Sequence, residues 1–331
     1  MLKRTRRTLW IVGLVLLVLA AAIYLRFKAP PEAARLLPES DGIVYVNLRP
    51  LRSLVGKNLK PVTRAPDYQN FIDSTGIDWE RDLEEAAIAL HRMPDPRGPN
   101  GPVAYSLVLV GKLNGKALAG YLDAHASGKE TYDGHTIYSL PSDGRTVRVA
   151  QIAYDTVAIS NTPSPEQIHS MLDRHRTAAL PFSGSTLLAE HYSEMPILSV
   201  AWGMGQIGLP FSEEGKIHVF GMELPVDKDT TFLASVHWAG GLKLRVVEIA
   251  PSEAAAVRQA DNLNLLLQIA RSATSGLGAN TTNNTLKELL RTTQITQNRD
   301  RVVANATLPR NLPAELVNGV NDGGEANGAS K

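Results

Sequence analysis

Gly203-Met204-Gly205-Gln206-Ile207-Gly208 is the segment of this chain that comes nearest to a cofactor motif. It fits G-x-G-x-x-G, whose glycines let a backbone approach a pyrophosphate at the start of a helix. Glu223 follows Gly203 by twenty residues, where a ribose-binding acid would stand. The motif works only if a helix begins inside it. Leu209-Pro210 and then Ser212-Glu213-Glu214-Gly215 allow none before an expected strand at 216–220. The spacing therefore predicts a glycine-rich turn and no nicotinamide binding.

The eight histidines form no HxH, HxxxH or HExxH pair, and no cysteine is present to complete a thiolate site. His169 and His175 lie six apart on an expected helix, about 600° around its axis, and so off a common face. His191 and Glu194 stand at i, i+3 without a firm helix signal. Surface histidines with no metal and no cofactor are the expectation. The G-x-S-x-G elbow, S-x-x-K and the phosphate-binding G-x4-G-K-[ST] loop are absent, and Phe182-Ser183-Gly184-Ser185 reads as a flexible polar turn. Asp78, Glu80, Asp82, Glu84 and Glu85 form the densest acidic cluster. Paired carboxylates serve glycoside hydrolysis, but aromatics total 6% of the chain, few for a sugar-binding groove. A capped, solvated helical turn is the blander and preferred reading, and no catalytic residue is assigned.

The elements around these residues predict an α+β fold: an N-terminal transmembrane helix, then two loosely similar lobes of antiparallel sheet packed with helices. Residues 42–48, 85–92, 103–112, 130–138, 146–150 and 156–160 read as strands of a first lobe, 40–176. Helices are expected near 67–74, 115–125 and 166–176, with a turn at 78–83 opened by Asp78. After a connection at 177–195, a second lobe at 196–320 has strands near 196–202, 231–238, 243–249, 295–297 and 301–308. A long helix over 252–273 places Val257, Ala260, Leu263, Leu267 and Ala270 on one stripe. Helices at 285–291 and 313–320 and a disordered tail at 321–331 complete the expectation. Asp133-Gly134 predicts a tight turn or bulge, with Ile137 pointing into the core beside Val149 and Val157.

The N-terminus carries the strongest signal. Residues 8–25 hold no charge, and eighteen residues make about 27 Å of helix, close to a hydrocarbon core. Lys3, Arg4, Arg6 and Arg7 precede the run while Arg26 and Lys28 follow it, which leaves the N-terminus cytoplasmic. Residues 1–28 are thus a basic tail and a signal-anchor, and 29–39 a linker. The expected localisation is single-pass in the inner membrane with the bulk periplasmic or extracellular. Ala20-Ala21-Ala22 supports the rival, export after cleavage of a signal peptide. With the six basic residues of 1–28 set aside, 28 Lys/Arg face 33 Asp/Glu, about −5. A mildly acidic exported region without a basic run argues against nucleic acid.

Residues 71–89, with Thr75-Gly76-Ile77-Asp78-Trp79-Glu80-Arg81-Asp82-Leu83-Glu84-Glu85 at their centre, resemble a T-G-x-D-x-x-R-D-L-x-E segment of a bacterial (Acidobacteria-like) family of exported envelope proteins. Tyr132-Asp133-Gly134-His135-Thr136-Ile137-Tyr138 matches the family's Y-x-G-x-x-I-Y strand, and 149–174 its strand-then-helix pattern ending L-D-R. The resemblance covers 40–175 well and 230–318 loosely. It implies an exported envelope protein and transfers no functional residue. The expected function is a membrane-anchored, extracytoplasmic binding or interaction module, more a binder than an enzyme. Its expected partners are the lipid bilayer through residues 8–25 and an envelope protein or ligand. The alternative is an envelope hydrolase whose site assembles from distant residues.

Overall fold

The computed structural model describes residues 2–55, 64–98, 101–142, 144–177, 183–206, 216–219, 222–225, 230–275 and 281–308. The expected helix at 313–320, the tail, and Gly208 lie outside them. The chain opens with α1 (Leu2–Lys28), α2 (Glu32–Arg35), β1 (Gly42–Asn47) and α3 (Leu48–Val55). Then follow α4 (Pro66–Thr75), α5 (Trp79–Asp82), β2 (Leu83–Arg92), β3 (Val103–Gly111) and α6 (Gly115–His125). The strands β4 (Gly128–Tyr132), β5 (His135–Ser142), β6 (Arg145–Ala153) and β7 (Thr156–Ser160) lead to α7 (Glu166–Thr177) and α8 (Thr186–His191). A 3-10 turn at Tyr192–Glu194 precedes β8 (Ser199–Gln206), and β9 (Lys216–Val219) and β10 (Met222–Pro225) form a separate hairpin. The chain continues through β11 (Thr231–Trp238), β12 (Leu242–Ile249), α9 (Glu253–Ser275), α10 (Thr281–Thr292), β13 (Gln294–Asn298) and β14 (Arg301–Thr307).

Among the described residues, twelve strands make one antiparallel sheet in the order β13-β14-β12-β11-β8-β1-β2-β3-β7-β6-β5-β4. The fold is α+β with a large antiparallel sheet. The sheet is continuous between the two halves of the chain because β1 pairs with β8, Gly42 opposite Gly205 and Val46 opposite Ala201. The order on each side of that central pair follows one plan. A hairpin (β2–β3 or β11–β12) is followed by a helical excursion, and the returning β7 or β14 pairs with the hairpin's outer strand. The upper rim of the sheet is taken here as the end where β1 starts and β8 finishes. The lower rim is the end where β1 finishes and β8 starts.

Both faces are covered. Ile43, Tyr45, Val108, Ile137, Trp202, Met204 and Leu233 meet α2, α7 and α8 on one face, while Tyr138, Val149 and Val157 meet Ile77, Leu118 and Leu122 on the other. This corrects the placing of Ile137. It is 1% exposed, as expected of a core residue, but period-two alternation puts it with Ala150 and the α7 residues Ile168, Met171 and Leu172, on the face opposite Val149. Asp133 and Gly134 have φ of 48° and 79° and close the β4–β5 hairpin in two residues, the tight turn expected of Asp-Gly.

Two segments read as connections are core. The linker at 29–39 contains α2, and Ala33, Ala34 and Leu37 are fully buried with Leu36 at 1%. The connection at 177–195 contains α8, whose Leu187 and Leu188 enter the same cluster. Four- and six-residue helices are too short to display a period, and the flanking prolines and glycines look like loop punctuation. Ser183-Gly184-Ser185 is likewise the cap of a helix: Ser185 Oγ accepts from Leu188 N and is fully buried. In α9 the expected stripe holds for Ala260, Leu263, Leu267 and Ala270. Val257 is 43% exposed, because Ala255 and Ala256 take its place against the sheet.

α1 is helical from Leu2 to Lys28, with part of its side chains among the described residues; of those, Leu14, Leu16, Leu17 and Val18 are exposed. Among the described residues no helix is long and apolar enough to cross a membrane. The spanning role of residues 8–25 therefore rests on their sequence.

Candidate functional site

The acidic cluster sits where α4, α5 and the start of β2 meet at the lower rim. Thr75 ends α4 by donating its hydroxyl to Phe71 O and accepting from Ile77 N, and Gly76 turns the chain with φ 71°. Asp78 then caps α5, accepting from Glu80 N, while the Asp78 N–H donates to the Asp82 carboxylate at 2.9 Å. Two orphan amides at a helix start are thereby satisfied. Asp82 O accepts from Lys112 N, and β3 ends in Gly111, where a Cβ would stand 2.4 Å from that same carbonyl. The T-G-x-D-x-x-R-D segment is a folded joint: each of its polar side chains is committed to holding a backbone turn or an arginine.

The carboxylates that could have acted as a pair are engaged by arginines and a tyrosine. Arg64 bridges Asp78 and Glu80 at 2.9 and 3.0 Å. Arg81 binds Asp82 at 2.7 Å, Arg49 binds Glu84, and Tyr45 Oη donates to Glu85 at 3.0 Å. The Arg81 hydrogen bond holds the Asp82 carboxyl below its ordinary value, whereas a glycosidase general acid needs one raised. Burial and the adjacent Glu85 push the Tyr45 phenol far up, so it stays a donor. An open cleft of about 540 Å³ lies beside these groups, lined by Arg49, Arg81, Asp82, Glu84, Lys112 and Tyr154 among others. Its Arg49, Arg81, Asp82 and Glu84 are ion-paired, and one ring, Tyr154, stands out at 83% exposure.

A serine–histidine contact escaped the sequence reading. His91 Nε2 lies 2.9 Å from Ser106 Oγ, which is 3.2 Å from Ser160 Oγ, itself 2.8 Å from Thr162 Oγ1. His91 was expected at the surface; it is 8% exposed, and Ser106 and Ser160 are fully buried. Burial lowers the His91 pKa, keeping the ring neutral. An attacking hydroxyl must meet its substrate, and these oxygens are sealed between β2, β3 and β7. The network satisfies buried polar groups near the upper rim. Its residues are fifteen and fifty-four positions apart, which no local motif search detects.

The remaining candidates disperse. Gly203 and Gly205 lie within β8, Gly205 opposite Gly42 and Phe232, so this part of the motif is strand where a turn was expected. Glu194 ion-pairs with Arg301 at 2.8 Å, and His191 stands nearer Glu190, at 3.9 Å. His169 and His175 do face different partners: His169 stacks on Tyr132 at 3.9 Å, and His175 meets the His135 ring edge-on at 6.5 Å. His169 Nε2 is 2.8 Å from Glu130 Oε1 without forming a hydrogen bond to it. Among the described residues no three His, Asp or Glu side chains converge as a metal site.

No family model and no curated protein sequence matches this chain. Its overall shape is similar to solved structures of TP0453 in crystal forms III, I and IV, each at 12% identity. The TM-scores are 0.45, 0.43 and 0.42, with 88%, 89% and 88% of this chain and 99%, 98% and 97% of those chains covered. Identity and score at that level transfer no site and no activity.

Proposed function

We propose that the protein is a membrane-anchored, extracytoplasmic binding or interaction module of the cell envelope, held in the inner membrane by residues 8–25 with its N-terminus cytoplasmic. The observation that carries the reading is the uncharged eighteen-residue run behind four basic residues. The likeness of 40–175 to an exported envelope family points the same way. What supports a binder over a hydrolase is the state of the polar groups. Asp82 and Glu84 of the cleft have arginine partners, and the Ser106–His91 contact is enclosed.

The test is fractionation of the full-length chain. Carbonate-washed membranes are expected to retain it, and a C-terminal reporter is expected to be active only outside the cytoplasm. Recovery of a shortened chain in the soluble extracytoplasmic fraction would replace the anchor with a cleaved signal. Ester hydrolysis lost in Ser106→Ala would bring the hydrolase forward.

A further inference from the structure

Among the described residues, the large apolar side chains left exposed outside α1 and α9 lie along one rim. Ile197 and Leu198 are 52% and 63% exposed just before β8, and Trp238 is 49% exposed at the end of β11. His237 pairs with Ser199, so Trp238 and Leu198 are the next residues outward on neighbouring strands. Leu198 also holds φ 66°, a left-handed backbone that costs a branched residue energy and suits glycine or asparagine. No core contact asks for a leucine at a position so exposed. An exposed leucine in unfavourable backbone, beside an exposed tryptophan, points to a use outside the folded core.

The route of the chain says what that use is. Lys28, the last residue of α1, lines a small cavity of about 90 Å³ together with Tyr192, Met195, Ile197 and Leu198. Residues 29–31 alone separate α1 from α2, and α2 is sealed in the core. Three residues reach at most about 11 Å even when extended. A body tied this closely to the end of a spanning helix keeps the same rim toward the bilayer surface. Lys28 and Lys243 flank the patch with exposed ammonium groups, which suits lipid phosphate, while indole and aliphatic side chains suit the boundary between headgroups and acyl chains.

We propose that Ile197, Leu198 and Trp238 dock into the headgroup–acyl boundary of the bilayer that holds α1, fixing the sheet with its lower rim on the membrane. The proposal rests on the anchor reading and adds to it an orientation and a second lipid contact.

The chain has no cysteine, so single nitroxide labels report cleanly. Full-length chains labelled at Leu198→Cys, Ala239→Cys, Leu16→Cys and Val257→Cys are inserted in phosphatidylcholine vesicles containing phosphatidylglycerol. Collisions with oxygen and with a water-soluble nickel chelate are then compared. Labels at 198 and 239 are expected to show a severalfold lower chelate-to-oxygen ratio than the label at 257, one turn into α9 on the far side of β12. Adding Leu198→Ser and Trp238→Ser to the 239-labelled chain is expected to return its ratio to that of 257, with circular dichroism unchanged. Labels at 198 and 239 as open to the chelate as 257, in a chain whose label at 16 is lipid-buried, overturn the docking and leave the anchor standing. A label at 16 open to the chelate, with release by carbonate, overturns the anchor itself.

Discussion

The two rims of the sheet are built for different surroundings. The upper rim carries the β13–β14 turn with Arg299 and Asp300, the backbone bonds made by Asp41, and beneath them the enclosed His91–Ser106–Ser160–Thr162 network. The lower rim carries Ile197, Leu198, Trp238 and Tyr154 in the open, above a joint in which α5 presses on the end of β3. In one place polar groups are hidden and paired. In the other, an ion-paired joint lies under β2 and β3 while, beside it, apolar groups at β8 and β11 are left out. Burial of polar groups demands partners, and exposure of large apolar groups demands a surface to meet. The contrast assigns solvent to one rim and, on the proposal above, lipid to the other.

The largest expected effect tests the tie between α1 and the lower rim. Leu37→Ala is expected to cost about 2–5 kcal/mol in urea denaturation of the detergent-solubilised chain, the range for a buried leucine cut to alanine. A loss under about 1 kcal/mol would restore residues 29–39 to a linker and free the body from a fixed orientation. Next comes the joint. Gly111→Ala places a Cβ against the Asp82 carbonyl and is expected to cost about 1–3 kcal/mol by overpacking. At the upper rim, Gly144→Ala is limited to about 1–2 kcal/mol, the backbone cost of its φ of 76° in otherwise open space. Parallel melting curves of the two variants measure the difference, and a Gly111→Ala chain as stable as wild type would mean that α5 does not press on β3.

The buried network makes the upper rim pH-sensitive. His91 has a lowered pKa when folded because burial disfavours its charged form. Below about pH 6.5 the unfolded ring takes up a proton that the folded ring resists. Stability from this group is whole above that value and is lost as pH falls toward the lower, folded pKa. Nuclear magnetic resonance titration should show His91 protonating at lower pH in the folded chain than in the urea-unfolded chain, and melting temperature should begin to fall from about pH 6.5. Coincident titration of His91 in the folded and unfolded chains would mean that the ring is open to water.

A smaller effect of opposite sign belongs to the lower rim. Leu198→Gly relieves a left-handed backbone, and thermal melting is expected to register a gain of up to about 1 kcal/mol. The same change should weaken lipid contact, so stability and docking move in opposite directions. A loss of stability instead would mean that Leu198 is held by packing. Smallest is Val257→Ser, expected within about 0.5 kcal/mol of wild type as an exposed position away from both rims' special features.

Much of the element plan was legible locally. β1, β2, β3, α6, α7 and α9 announce themselves through period-two or 3.6-residue patterning, and Asp133-Gly134 through the backbone freedom of glycine. So did the uncharged run at 8–25, because its signal is the summed hydropathy of contiguous residues and needs no partner. Short helices did not: α2 and α8 are one to two turns long, and their leucines become core only because the sheet face above them is vacant. Which carboxylate meets which arginine was equally invisible, since Arg49 reaches Glu84 and Glu85 from another element. Nor could the sequence distinguish Ile137 from Val149 by face, since both are apolar strand residues and only the pairing register separates them. The joining of both halves into one sheet was settled by backbone hydrogen bonds between β1 and β8, whose residues are more than 150 positions apart. Hydrogen bonds between backbones carry no side-chain signature, so that decision belongs to the tertiary structure alone.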